Sequence, residues 1–485
     1  MGCSFIGGRR LFRELDAILT QIKAMAAGTP QPAGMNIGAL IEKYDTRVPR
    51  YTSYPTAPHF GPAVDGAAYA GWLAALPAEA PVSLYLHVPF CAQLCWYCGC
   101  HTTAVTRREP MDSYADTLLA EIDLVAAAIG RRLPVSHVHW GGGTPHALPP
   151  DRLVQIMGRL REAFALAPDA EIAVEMDPRT AGPEVIAALA AMGVTRASLG
   201  VQDFDPVVQK AVNRVQSWQE TAACAVRLRG MGIRSLNLDL MYGLPFQTEA
   251  GVRRTVEQAL DLDPDRVAVF GYAHVPWMKK HQTLIPEAAL PDLAERWRQQ
   301  MAAEAAIVAR GFVPVGLDHY AKPDDSLAVA AREHAMHRNF QGYTTDTAAT
   351  LIGLGASSIG SLPQGYAQNA AALPDWRDRV RAGRLPTIRG FATAPDDRLR
   401  RDVIEQLMCQ GEVDLCHTAA RHEADARVLL AAAPRLAELA ADGLIAWDGA
   451  RVALAREARP PVRNVAAVFD SYYRPQNEAR HARAV

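Results

Sequence analysis

The sequence predicts an α/β fold, a partial (β/α)6 barrel followed by a mainly helical, winged-helix-like C-terminal domain. Three observations carry this expectation. Apolar strand-like runs recur six times between residues 83 and 272, separated by stretches of helical periodicity, the pattern of parallel strands with helices packed outside. Glycine, acidic and polar residues collect at the carboxyl ends of those runs, where such a barrel presents its active site. Past residue 365 the alternation gives way to helices and a short hairpin.

Taken in order, the chain opens with an extension, residues 1–36, in which Leu11, Leu15, Ile18, Leu19, Ile22 and Met25 recur at helical spacing before AAGTPQPAG breaks the pattern. Arg9, Arg10, Arg13, Glu14 and Asp16 interrupt any signal-peptide core, and Ile6 stands where a myristoylation site needs Ser or Thr. Two readings stand side by side: a dispensable tail with Met35 as the true start, or a docking helix. Residues 37–82 hold a short helix, IGALIEKYDT, and then RVPRYTSYPTAP, whose prolines and β-branched residues favour an extended strap.

The six runs, which place the catalytic region at 83–364, are SLYLHVPF (83–90), SHVHW (136–140), EIAVEM (171–176), RASLGV (196–201), SLNLDLM (235–241) and RVAVFGY (266–272). Helical patterns such as MDSYADTLLAEIDLVAAAIG and DRLVQIMGRLREAF lie between them. Cys91, Cys95 and Cys98 follow the first run, and Gly141, Gly142, Gly143 and Thr144 follow the second. Glu175 ends the third, Gln202 closes the fourth, Asp239 lies near the end of the fifth, and Ala273 and His274 follow the sixth. Singly, a glycine run is a loose turn and a terminal carboxylate a helix cap. Their common position at one end of successive strands is what argues for a site. In the C-terminal region, 365–485, DRLRRDVIEQLMCQ and RVLLAAAPRLAELAADG read as helices, and GLIAWDGARVALA as a hairpin turning at Asp448–Gly449. A lid or substrate-docking domain fits it better than a DNA reader, since no basic stripe is present.

The stretch CAQLCWYCGC carries four of the eight cysteines, with Cys91, Cys95 and Cys98 spaced C-x3-C-x2-C. Zinc sites usually pair two short ligand sets, and no second set occurs elsewhere. So short a loop disfavours disulfides. Three soft thiolates from one loop suit an iron–sulfur cluster with one iron left open for a substrate. Cys3, Cys224, Cys409 and Cys416 are scattered, a usage that fits a reducing cytoplasm. A formal net charge of −2 gives no reason to expect nucleic acid or an anionic membrane as partner, and no apolar run has transmembrane length.

Together with PRYTSYPTAP, HVPFCAQLCWYCGC, HWGGGTP, EMDPR, GVQDFDPVVQKAVNR, LDLMYGLPFQT and HRNFQGYTTDT, these residues resemble the radical S-adenosylmethionine superfamily. Within it they resemble the oxygen-independent coproporphyrinogen III oxidases of haem biosynthesis, from about Ile37 to the C-terminus. The cysteine motif alone covers many chemistries; the strap PRYTSYPT and the extra cysteine of CGC narrow it. The resemblance implies a TIM-like partial barrel of the radical SAM type and a cytoplasmic, monomeric enzyme. Its expected partners are coproporphyrinogen III, an electron donor such as flavodoxin or ferredoxin, and an electron acceptor. Cys91, Cys95 and Cys98 would hold three irons of one 4Fe–4S cluster, with S-adenosylmethionine chelating the fourth. A 5′-deoxyadenosyl radical would take a hydrogen from a propionate, and loss of carbon dioxide and one further electron would leave a vinyl group. Two rounds would give protoporphyrinogen IX. A haem chaperone and a radical methyltransferase of the same fold are the alternatives.

The resemblance further implies two S-adenosylmethionine molecules. Tyr85, Gly142, Glu175 and Ile359 match positions that contact the one on the cluster. Tyr97, Gly143, Thr144, Gln202, Arg214, Asp239 and Ala273 match those of the second, with Arg214 paired to its carboxylate. Tyr97 stands where the family commonly has phenylalanine, and His101 where it often has asparagine. Cys100 is assigned a non-ligating, catalytic role, because as a ligand it would close the open iron. Arg338 and Arg50 are candidates for the substrate carboxylates, or for surface ion pairs.

Overall fold

The computed structural model describes residues 37–455 and 459–474, so both readings of the N-terminal extension lie outside the described residues. These residues form two compact units, one of residues up to Thr56 with those from Ala394 onward, the other Ala57–Thr393.

The larger unit is built on one twelve-stranded sheet. All six expected strands are present: β1 (Val82–Val88), β2 (Pro134–Gly142), β3 (Ala165–Met176), β4 (Arg196–Gln202), β5 (Ser235–Tyr242) and β6 (Arg266–Gly271). They lie side by side in chain order and all run parallel. The intervening helices include α1 (Arg108–Ile129), α2 (Pro150–Ala163), α3 (Pro183–Met192), α4 (Trp218–Gly230) and α5 (Glu249–Leu260). The strands are less uniformly apolar than their sequences suggest. On the outward face, Leu84, Trp140, Val174, Leu199 and Leu238 belong to the main core with Ile122 of α1, Ile156 of α2, Leu189 of α3 and Val256 of α5. The alternate positions, such as His137, Glu171, Ser198 and Asn237, point the other way and line an internal cavity of about 270 Å³. Ser83 on β1 and Arg266 on β6 share that cavity, although five strand spacings would put them about 24 Å apart on a flat sheet. The sheet is therefore curled into a partial barrel with a polar lumen.

The sequence reading missed the remaining strands. Residues Val313–Val315 (β7) and His319–Ala321 (β8) extend the sheet antiparallel beyond β6. On the other side β9 (Thr350–Leu354) adds a seventh parallel strand beside β1, followed by antiparallel β10 (Ile359–Leu362), β11 (Gly365–Asn369) and β12 (Thr387–Ala392). The turn between β9 and β10 is held by Glu121 of α1. Its carboxylate accepts from Gly355 N at 2.8 Å, Trp376 Nε1 at 2.9 Å and Asn369 Nδ2 at 2.6 Å. Burial pushes its pKa up to about 7 against these three donors.

In the smaller unit the helix Ile37–Tyr44 precedes the strap, which is irregular, as its prolines require. Tyr51 Oη donates to Asp470 Oδ2 at 3.0 Å, Tyr54 Oη meets Ser471 Oγ at 2.9 Å, and Asn464 Nδ2 donates to Thr46 Oγ1 at 2.7 Å. The strap is thus stitched to the segment 464–471. The expected helix over RVLLAAAPRLAELAADG is two, Arg427–Leu430 and Ala433–Ala441, because Pro434 has no amide to continue the first and instead opens the second. The expected hairpin forms from Ile445–Trp447 and Arg451–Leu454, and Glu412–Asp414 adds a third strand. Among the described residues no helix is long and apolar enough to cross a membrane.

Replacing Glu121 by Ala strands the Gly355 and Trp376 donors without an acceptor and is expected to lose about 3 kcal/mol, at 1–3 kcal/mol per buried orphan, read from the urea midpoint. Between pH 4.5 and about 7 the folded carboxyl holds a proton that the unfolded one does not. Stability relative to Glu121→Gln should therefore fall as pH rises through that window, and urea midpoints of both proteins at pH 5 and pH 8 check the sign.

Candidate active site

The cysteine loop leaves β1 through a two-residue strand, Phe90–Cys91, which pairs in parallel with Thr103–Ala104. The loop is pinned from two sides by partners other than its own cysteines. Asn213 Nδ2 donates to Leu94 O at 2.9 Å and Trp96 N to Val212 O at 2.9 Å. From the segment after β6, His281 Nε2 donates to Cys98 O at 2.7 Å, Gln282 Nε2 to Tyr97 O at 3.0 Å, and Lys279 Nζ to Cys100 O at 2.9 Å. Sequence reasoning stopped at Ala273 and His274 and missed this clamp, because nothing in HVPWMKKHQ marks three side chains aimed at distant carbonyls.

The backbone of Gly142–Gly143–Thr144 runs directly against this loop. Gly143 N donates to Val88 O at 2.9 Å and Thr144 N to Phe90 O at 2.7 Å. A Cβ on Gly143 would stand 2.3 Å from Thr102 Oγ1, 2.7 Å from Phe90 O and 2.9 Å from Cys91 Sγ. Gly142 has φ +118°, a conformation open to glycine. The strand β2 itself runs through Gly142, two residues further than its sequence pattern suggested, so Gly141 and Gly142 are strand end rather than loose loop.

Hydroxyls and guanidiniums surround the thiols. Thr144 Oγ1 donates to Cys91 Sγ at 3.5 Å, and Thr102 Oγ1 lies 3.2 Å from the same sulfur. Arg179 Nη2 donates to Cys95 Sγ at 3.6 Å and Arg214 Nη1 at 3.5 Å. Asp177 bridges the two arginines, 2.7 Å from Arg179 Nη2 and 3.4 Å from Arg214 Nη1. Burial raises the Asp177 pKa, but the Arg179 hydrogen bond and the Arg214 charge outweigh it and hold it at about 2. Cys100 N donates to Cys98 Sγ at 3.4 Å, and the hydrogen bond from the Cys100 thiol holds the Cys98 thiol below its ordinary range. Cys100 thus lies directly against the Cys98 sulfur. Arg179 and Asp177 were present in the quoted EMDPR, yet spacing alone does not reveal that DPR folds back on a cysteine.

The other expected residues divide along the curled sheet. Glu175 accepts from Gly142 N at 3.1 Å and from His139 Nε2 at 3.2 Å. Tyr85 is beside it on β1; its hydroxyl meets His87 Nδ1 at 3.0 Å while His87 Nε2 donates to His101 O at 3.0 Å. Burial lowers the His87 pKa, so its neutral ring accepts from Tyr85. Asp239 accepts from Ser198 Oγ at 2.8 Å and Asn237 Nδ2 at 2.7 Å, and burial raises its pKa to about 6. Gln202 ends β4 with φ +69°, Ala273 O accepts from Gln282 Nε2 at 3.3 Å, and Ile359 opens β10. Tyr97 packs on the cluster of Val208, Val212, Leu244, Tyr272 and Ile285. Arg50 belongs to the smaller unit and Arg338 lies 4.4 Å over the Tyr343 ring.

Three thiolates, no histidine or carboxylate in the loop, and N–H and O–H donors aimed at sulfur fit a cluster held by cysteine sulfurs. The Radical SAM superfamily pattern matches residues 85–259, and that of the HemN C-terminal domain residues 394–460. The oxygen-independent coproporphyrinogen III oxidase of Bradyrhizobium diazoefficiens is 52% identical over 91% of this chain and 98% of that protein. The chain belongs to the oxygen-independent coproporphyrinogen III oxidase family. The corresponding protein of Paracoccus denitrificans is 46% identical over 88% of this chain and 95% of its own. The solved structure titled coproporphyrinogen III oxidase (HemN) from Escherichia coli superposes with TM-score 0.84 at 37% identity, covering 91% of this chain and 100% of that one. The fold is accordingly the radical SAM partial barrel, and the family's cofactors are a 4Fe–4S cluster and S-adenosylmethionine.

Gly143→Ala must displace the loop that carries Cys91 and is expected to retain less than about half the wild-type iron and sulfide after reconstitution. Gly99→Ala, in the same loop but with nothing within 4 Å of the added carbon, serves as the tolerated control. Iron and sulfide analysis of both decides it.

Proposed function

We propose that this chain decarboxylates two propionates of coproporphyrinogen III to vinyl groups, giving protoporphyrinogen IX without oxygen. The observation that carries this is the cysteine loop at the carboxyl end of β1 in a chain spanning 98% of the Bradyrhizobium enzyme's length. When bound, the reduced cluster and S-adenosylmethionine supply the 5′-deoxyadenosyl radical that takes hydrogen from the propionate. Cys91, Cys95 and Cys98 are the cluster ligands in this reading. Tyr85, Gly142, Glu175 and Ile359 take the first S-adenosylmethionine, Glu175 accepting from a ribose hydroxyl and Ile359 walling the adenine.

Tyr97, Gly143, Thr144, Gln202, Arg214, Asp239 and Ala273 take the second. Arg214 would exchange its Asp177 contact for the methionine carboxylate, and buried Asp239 would face a cationic portion. Cys100 stays off the iron and acts beside that second molecule. Substrate carboxylates need cationic partners, for which Arg50 and Arg338 are the candidates. We assign the catalytic portion to 83–364 and a lid or substrate-docking role to the region from 365 on, with residues 37–82 as an N-terminal strap and helices. A cytoplasmic monomer drawing electrons from a flavodoxin- or ferredoxin-like donor, and passing one per round to an acceptor, completes the reading.

The test is an anaerobic assay of reconstituted protein with coproporphyrinogen III, S-adenosylmethionine and a reductant, read by product mass. Loss of two carboxyl groups as carbon dioxide supports the proposal. Stoichiometric haem binding without decarboxylation, or methylated products, overturns it. Replacing Cys91, Cys95 or Cys98 by Ser is expected to abolish both cluster absorbance and turnover, whereas Cys100→Ser keeps four irons and loses at least about tenfold in turnover; iron lost on that change as well would make Cys100 a ligand.

A further inference from the structure

Two guanidiniums face one cysteine sulfur, and they are not equivalent. Arg214 is the residue matched to a carboxylate of the second S-adenosylmethionine, and its side chain reaches Gly200 O at 2.6 Å as well as Cys95. Arg179 has no such second destination. Its Nε and Nη2 form a fork on Asp177, at 3.0 and 2.7 Å, and its backbone N donates to the same carboxylate at 3.1 Å. Asp177 caps the short turn Pro178–Thr180 that carries Arg179, so the side chain is fixed at both ends. What remains of Nη2 points at Cys95 Sγ. Cys95 itself is 7% exposed and the Arg179 side chain 12%, so the contact is little screened by water.

We propose that Arg179 is a positioning residue that sets the reduction potential of the cluster by donating to the Cys95 sulfur, with Asp177 holding it there. This rests on Cys95 being a cluster ligand. Reduction adds one electron from an external one-electron carrier and places part of the new charge on the ligand sulfurs. A donor at sulfur, and a net positive charge beside it, stabilise the reduced state more than the oxidised one. Two arginines against one aspartate leave one positive charge at this ligand. If Arg214 turns to a bound carboxylate, Arg179 is the donor that stays. An Arg fork is needed for this geometry, because a lysine ammonium cannot grip both Asp177 oxygens and still face the sulfur.

The test is a redox titration of reconstituted protein, followed by electron paramagnetic resonance in the absence of S-adenosylmethionine. Arg179→Gln is expected to hold about tenfold less reduced cluster at a given potential, a midpoint about 59 mV more negative for a one-electron couple. Arg179→Lys should fall between that and wild type. Asp177→Asn, which keeps one side-chain oxygen for the Arg179 backbone N and Nε and removes the compensating negative charge, should shift the midpoint the other way. If Arg179→Gln does not retain its iron, the Lys and Asn variants carry the test. Midpoints equal to wild type in all variants that hold four irons overturn the proposal. Wild-type protein that takes up no 4Fe–4S cluster overturns the cluster reading beneath it and the proposal together.

Discussion

The site depends on one close approach, that of the Gly142–Gly143–Thr144 backbone to the loop of Cys91. Two amides of this strand end donate to carbonyls flanking that cysteine, and Thr144 adds a hydroxyl to the sulfur. No side chain fits at Gly143. The same strand end sends the Gly142 amide to Glu175, so the loop, β2 and β3 are locked in one register. Loop geometry is thereby inherited from the sheet. An irregular loop is held in place by such backbone ties together with the side chains of Asn213, Lys279, His281 and Gln282.

A second constraint is the two-faced sheet. Its outward face is a continuous apolar core under the helices, and that burial supplies the stability. Its inner face is therefore free to be polar, and it carries charge in matched pairs: Arg196 with Glu171 at 3.0 Å, and Arg266 with Asp325 at 2.7 Å. Buried charges of this kind add little net stability. Arg196, Glu171 and Arg266 line the same cavity as Glu175 and Asp239. Coiling the sheet brings Ser83 and Arg266 to one cavity.

Much of this was legible in the chain itself. The six parallel strands follow from alternation of apolar runs with helical periodicity, and the functional end follows from where Cys91, Gly142, Glu175, Gln202 and Asp239 fall on those runs. The strands β7 to β12 were not legible, because runs as short as Val313–Val315 or Ile359–Leu362 become strands only through the sheet edge they pair with. The break in the helix at Pro434 was readable from that residue alone and follows from its missing amide. The clamp by Lys279, His281 and Gln282 was not. Side chains that bond carbonyls almost two hundred residues away leave no periodicity.

The same distinction explains how the cysteines are used. Spacing identifies Cys91, Cys95 and Cys98 as a set, but it treats them alike. The fold makes them different. Cys91 meets two hydroxyls, Cys95 two guanidiniums, and Cys98 a neighbouring thiol and amide. With these three cysteines as ligands, donors of graded strength would give an otherwise symmetric cluster an electrical direction. The most cationic side is the one that Arg179 and Arg214 build about Asp177 at Cys95. The hydroxyl side faces the Gly143–Thr144 strand end. Three of these donors, Thr144, Arg179 and Arg214, come from other strands and loops than the cysteine stretch itself, which its spacing does not show.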